Sequence, residues 1–319
     1  MDTRYNIAEA RVSLEHYEKS EKVPVNTYLV DVPKDTSLWL DDFNVVEIPE
    51  PHCWRLIRIL DNGESEEAVF SLHGIVIGKD LPPVTELQKM APRSHPFLQQ
   101  AITLSGLDSA KFETAIDRTH DIYNKYRRFF PDNQLLPWND LHCTITPGRT
   151  LTFSNRYFTR RKEAPTMRAI PFAVEVDPKG LLSQLITGHL FHSIDNQVSY
   201  YTRYKDDENK LVHDFVGPQT IRVGDIVDVQ FSIVVYRMRT GQHVMKAMLF
   251  SIALVDGKYS DEYSQRKQIP VPPATLSVKR KTGYEVPPRP AKQTRLNHMD
   301  IDASQGVPTE AMHGLGLGT

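Results

Sequence analysis

The chain has 319 residues, 40% of them hydrophobic and 24% charged, with a formal net charge of −2. That supports a sizeable packed core and excludes a global attraction to nucleic acid or to an anionic membrane, so any such binding has to come from local patches. Only two cysteines, Cys53 and Cys143, are present, which excludes a disulfide scaffold and favours a reducing, intracellular compartment.

Residues 1–22 are polar throughout, lack the apolar core of a signal peptide, and read as a short helix or an unstructured segment. TYLVDV at 27–32 reads as a strand closed by Pro33, and the segment ending at Pro49 as an edge strand or loop. Next comes a strand of imperfect alternation, with Trp54, Leu56, Arg58 and Leu60 against Arg55, Ile57 and Ile59. The turn signal Asp61-Asn62-Gly63 predicts a hairpin, with 68–77 as its returning strand. Past the Pro82-Pro83 breaker the pattern predicts short helices over 84–90 and 94–104. The clearest helix follows at 108–129, with Phe112, Ile116 and Tyr123 near helical spacing, Asp108 or Ser109 as its cap, and Pro131 as its stop.

From Leu141 the chain reads as β structure again, with strands around 141–153 and 170–176, a turn at 177–180, a short helix at 181–186, and a strand at 197–204 before the charged tip 205–210. The strongest pattern is DIVDVQFSIVVYRMRTGQHVMKAMLFSIALVD at 225–256, two long strands joined by a turn at Arg239-Thr240-Gly241-Gln242. Val227, Val229, Phe231, Ile233 and Val235 alternate with Asp228, Gln230, Ser232 and Val234. The return strand is apolar on both faces, which predicts a central strand. Lys246 and Ser251 interrupt it, and it is too short to span a membrane. The expected organisation is a polar segment 1–22, a β-rich globular body 23–264 with a helical section at about 82–130, and a basic, proline-rich tail 265–319 too poor in large apolar groups to order itself. The fold class expected is α+β and β-rich: an antiparallel sandwich or an OB- or jelly-roll-like barrel with a helical insertion and a disordered C-terminal tail.

The runs DPKGLL, IDNQVSYYTR, RVGDIVDVQFSIVVYRM and KAMLFSIALVDGKYS resemble uncharacterised proteins of mushroom-forming (basidiomycete) fungi. The resemblance covers the middle and C-terminal parts of the expected body and implies no activity.

Two basic clusters, Lys279-Arg280-Lys281 and Arg289, Lys292 and Arg295, have the form of a bipartite nuclear-import signal, which implies an import carrier as partner and a nuclear location. The plain alternative is a solvated linker. Aromatic and basic residues interleave at Tyr123, Lys125, Tyr126, Arg127, Arg128, Phe129 and Phe130, and again at Arg156, Tyr157, Phe158, Arg160, Arg161 and Lys162. Cations neutralise phosphates and aromatic faces stack on unpaired bases, so both stretches are candidates for contact with single-stranded nucleic acid. Against that stands ordinary core packing with Arg and Lys lying over aromatic rings. RVGDIVDVQ also reads like the first strand of an OB-fold.

His142-Cys143-Thr144 has the His-x-Thr spacing that resembles half of the two-histidine phosphoesterase motif, without a second His-x-Ser/Thr at a suitable interval. His52-Cys53, His142-Cys143 and the pair His189/His192 are the metal-type combinations, but there is no Cys-x-x-Cys and packed side chains explain them, so no metal and no cofactor are expected. Walker, Rossmann and Gly-x-Ser-x-Gly motifs are absent. The function expected is therefore a non-enzymatic nuclear binding protein contacting nucleic acid or a protein partner through its β-rich body, with the long hairpin as a sheet edge for a partner strand. One alternative is a phosphoesterase-like enzyme using His142 and Thr144. The other is a structural or assembly protein with a jelly-roll-like body.

Overall fold

The computed structural model describes residues 5–20, 29, 39–85, 91–138, 141–142 and 148–268. Helix α1 (Ile7–Ser20) precedes β1 (Phe43–Pro49), β2 (His52–Ile59), β3 (Ser65–Glu67) and β4 (Phe70–Asp80). A 3-10 turn at Pro92–Phe97 leads into β5 (Gln99–Ser105), then α2 (Ala110–Phe129), β6 (Leu141–His142) and β7 (Arg149–Arg156). The short β8 (Thr159–Arg160) and β9 (Leu190–Phe191) pair with each other. The chain closes with β10 (Ser199–Lys205), β11 (Leu211–Phe215), β12 (Ile226–Arg237), β13 (His243–Asp256) and α3 (Lys258–Gln268).

The two long strands of the 225–256 hairpin organise the sheet. β12 pairs with β13 along its length, and its other edge takes β4 over 226–231 and β2 over 234–236. β13 likewise shares its second edge, in parallel, between β7 at Ala247 and Met248 and β10 over 251–254. With β4–β5 and β5–β7 antiparallel, the strands close in the order β4, β5, β7, β13, β12 and back to β4. In chain order this is first, second, third, fifth, fourth: a five-stranded Greek-key barrel of the OB type within an α+β, β-rich body. RVGDIVDVQ therefore enters the fourth barrel strand, not the first. Most of the long hairpin offers no edge either, since its outer sides are paired over 226–231 and 234–236 on β12 and over 247–248 and 251–254 on β13; β1 and β11 end the main path of the large sheet, with β3 and β6 as short strands beside β2 and β7.

The period-two residues of β12 point into the barrel, where Phe231 meets Phe153 of β7 with ring centroids 4.6 Å apart. One end is closed by α2, whose buried Phe112, Ile116, Ile122 and Tyr126 join the same core. Tyr126 donates its hydroxyl to the carbonyl of Ile233 at 2.8 Å, fixing helix to hairpin. This approach needs glycine at 106, where a Cβ would come within 2.2 Å of Phe112 Cβ. α1, with Tyr5 just before it, and α3 pack outside the barrel through Tyr5, Ala10, Leu14, Tyr259 and Tyr263 around Ile75 and Ile226.

Several local expectations are corrected. Residues 94–104 form a 3-10 turn and strand β5 instead of a helix: Gln100, Ile102 and Leu104 alternate inward, and pairing with β4 and β7 overrides helical spacing. The Asp61-Asn62-Gly63 turn returns β2 onto β3 only, and β4 pairs with β12 and β5. No strand forms at 170–176. Ser109 occupies the N-cap position of α2, but its hydroxyl goes to Glu18 of α1 at 3.2 Å. α3 runs through Gln268, past the expected boundary at 264. The readings at 27–32 and 84–90 fall largely, and those on 269–319 wholly, outside the described residues.

Candidate nucleic-acid interface

Phe97 ends the 3-10 turn before β5 and is 48% exposed. Its loop is tied to the end of β7, because Tyr157 N donates to Leu98 O at 3.0 Å and Gln99 pairs with Arg156. Three guanidinium groups lie over this ring: Arg160 at 5.0 Å from the centroid, Arg239 at 5.7 Å and Arg156 at 5.9 Å. Each is within the range of a cation–π contact. They come from three elements. Arg156 ends β7, Arg160 lies in β8, and Arg239 is carried by the β12–β13 turn, where Met238 N donates to Gln242 O at 2.7 Å and Gly241 has φ +89°. Arg156 also lies 5.9 Å from the ring of Tyr236.

Like charges gathered this way repel one another unless a carboxylate intervenes. Arg160 has Glu163 at 3.2 Å. Arg156 and Arg239 make no ion pair among the described residues. Lys246 of β13 is half-buried nearby, and its pKa is depressed first by burial and then by Arg156. Positive charge is therefore concentrated and partly desolvated around one exposed aromatic ring, an arrangement that an anion relieves. Beside it, the outward positions of β5 and β7 are small or polar. Gln99, Ala101 and Thr103 stand opposite Arg156, Ser154 and Thr152, with the two threonine hydroxyls hydrogen-bonded at 2.9 Å.

The predicted residues divide. Arg156 and Arg160 belong to this cluster. Tyr157 and Phe158, at 2% and 1% exposure, are core residues packed around Phe172, so they are not contact residues. Alternation past Arg156 breaks at the end of β7, and Phe172 packs against both rings. Arg161 stacks on Phe191 at 3.6 Å and donates to Met167 O at 2.7 Å, a structural role, while Lys162 is exposed. Arg127 and Arg128 are exposed on the last turn of α2, outside the contacts of the Phe97 cluster. His142 lies in β6 with its side chain outside the described residues, and Thr144 is outside them altogether. His192 is buried, stacked on Phe172 at 4.0 Å with Nδ1 2.9 Å from Tyr157 O, and burial lowers its pKa. Cys53 is a buried thiol beneath Arg55. Among the described residues no group of three His, Cys, Asp or Glu is placed to hold a metal ion. Lys279, Arg280, Lys281, Arg289, Lys292 and Arg295 all lie outside the described residues.

Sequence reading missed Phe97, Met238 and Arg239. Phe97 carries no periodic signal between Pro96 and Leu98. The hairpin tip Arg237-Met238-Arg239 did carry one, since it places two cations and a large apolar side chain where a turn needs none.

No family model matches the chain. No curated protein matches it. Among solved structures it is similar to gp2.5, a single-stranded DNA-binding protein encoded by bacteriophage T7, at 12% identity, covering 59% of this chain and 86% of that one with a TM-score of 0.28. A superposition that loose carries no argument; the barrel stands on its own strand pairings.

Proposed function

We propose that this chain is a non-enzymatic nuclear protein that binds nucleic acid, with Phe97, Arg156, Arg160 and Arg239 as its primary contact surface. The observation that carries the reading is the half-exposed Phe97 ring beneath three guanidinium groups, two of them without a carboxylate partner among the described residues. An aromatic face stacks on an unpaired base whatever its identity, and flanking arginines neutralise its phosphates. Small Greek-key barrels of this type take oligonucleotides on their second and third strands and on the loops beside them. Here those elements are β5 and β7, the loop that presents Phe97, and the turn that presents Arg239.

The test is fluorescence anisotropy with labelled oligothymidylate. Three phosphate contacts predict a slope of about −2 in log K against log salt. Phe97→Ala is expected to weaken binding by about 1–3 kcal/mol, and Arg156→Ala with Arg239→Ala to flatten the slope by about 1.4. No binding at low salt, or an unchanged slope, refutes the reading. The nuclear part is supported by the two basic clusters within 279–295. A fusion lacking 269–319, joined to a reporter too large to diffuse, is expected to stay in the cytoplasm; nuclear accumulation would rule out import through that segment.

A further inference from the structure

We propose that the ligand is a single strand that runs from Phe97 across the β12–β13 turn to the end of α2, where Phe129, Arg127 and Arg128 form a second contact patch. This rests on the nucleic-acid reading of the Phe97 surface and extends it to a footprint. Phe129 is 51% exposed at the last position of α2, next to two exposed arginines. The favourable position of cations at a helix C-terminus accounts for the arginines. It does not account for a large exposed ring beside them.

The hairpin links the two patches physically. On one side, Arg239 reaches Phe97. On the other, His243 stacks on Phe130 at 4.5 Å, and Phe130 meets Phe129 edge-on at 5.5 Å. The backbone after α2 is bonded to the neck of the hairpin, with His243 N donating to Gln134 O at 2.7 Å and Leu136 N to His243 O at 2.9 Å. Both patches thus touch the same hairpin, one through Arg239 and the other through His243. Between them the hairpin presents Arg237, which is exposed, and Met238, which is 41% exposed. Among the described residues, Arg160 is paired with Glu163 and His52 with Glu47, while Arg156, Arg239, Arg237, Arg127 and Arg128 make no ion pair. Only an unpaired strand can offer base faces to Phe97 and Phe129, since a duplex stacks its bases away.

The experiment compares labelled oligothymidylates of about 4 and about 16 nucleotides, the range of single-domain sites, with a duplex of the longer length. Arg127→Ala with Arg128→Ala, and separately Phe129→Ala, are expected to weaken binding of the long oligomer about tenfold and to leave the short one bound as tightly as by the unaltered protein. The duplex is expected to bind more weakly than the long single strand. Long-oligomer affinity unchanged in both variants overturns the second patch, while binding at Phe97 stands. Equal losses for both lengths overturn the path, and a duplex bound as tightly as the single strand overturns the choice of ligand. If the unaltered protein binds neither oligomer at low salt, the nucleic-acid reading itself falls.

Discussion

Arginines occupy two contrasting regions of this molecule. Arg203 is buried between Asp228, 2.8 Å from one amino group, and His73, whose Nε2 accepts from the other at 2.6 Å; Ser71 donates to the far oxygen of Asp228 at 2.6 Å. Arg55 is held the same way by Glu67 at 2.6 Å and Asp195 at 2.7 Å. Around Phe97 and the hairpin tip, by contrast, Arg156 and Arg239 meet aromatic rings and no carboxylate among the described residues. A buried guanidinium cannot shed its charge, so it needs a fixed counter-charge. An arginine that water still reaches, as at half-buried Arg156 and exposed Arg239, is stable without one and keeps its charge for a ligand. The acidic and basic residues balance to −2 over the whole chain, but the balance is unequal from place to place.

The contrast is sharpest for stability. Asp228→Ala removes the carboxylate that holds Arg203 Nη1 and Ser71 Oγ in the core and is expected to cost about 3–5 kcal/mol, read as a lower urea midpoint, with oligonucleotide affinity of the folded protein unchanged. A loss no larger than that of a surface substitution would break the comparison.

A smaller effect is expected at Glu18 of α1, buried against Ser109, with His73 and Lys111 nearby. Burial raises its pKa from an ordinary 4.5 to about 7, against the opposing pull of the Ser109 hydrogen bond, His73 and Lys111. The folded state therefore binds this proton more tightly than the unfolded chain. The stabilisation is complete below about pH 4.5 and is lost as pH rises through about 7. Glu18→Gln, permanently neutral, is expected to match the parent near pH 4 and exceed it by roughly 3 kcal/mol near pH 8. Parallel profiles of melting temperature against pH would remove the idea. The smallest effect belongs to the exposed side. Arg156→Ala with Arg239→Ala is expected to leave stability within about 0.5 kcal/mol of the parent while flattening the salt dependence of binding. A large loss of stability there would mean that these arginines hold the fold rather than a ligand.

For the two strongest local patterns, the sequence alone determined the outcome. The period of two over 227–235 and the turn at 239–242 specify the long hairpin, and the helical spacing from Phe112 onward specifies α2. Arg156 and Arg160 were visible as half of the interface for the same reason: cations and aromatics lie side by side in the chain. The tertiary structure decided the rest. Whether Gln99 to Ser105 is strand or helix depends on β4 and β7, far away in sequence. Tyr157 and Phe158 are buried while Phe97 and Phe129 are exposed, and no property of a phenyl or phenol ring distinguishes the two pairs. Exposure is set by which other segment covers a residue, and the meeting of Phe97 with Arg239 is set by barrel closure. Propensity and periodicity act over a few residues, whereas burial and charge compensation are settled by contacts between residues more than a hundred positions apart, as with Arg203 and His73.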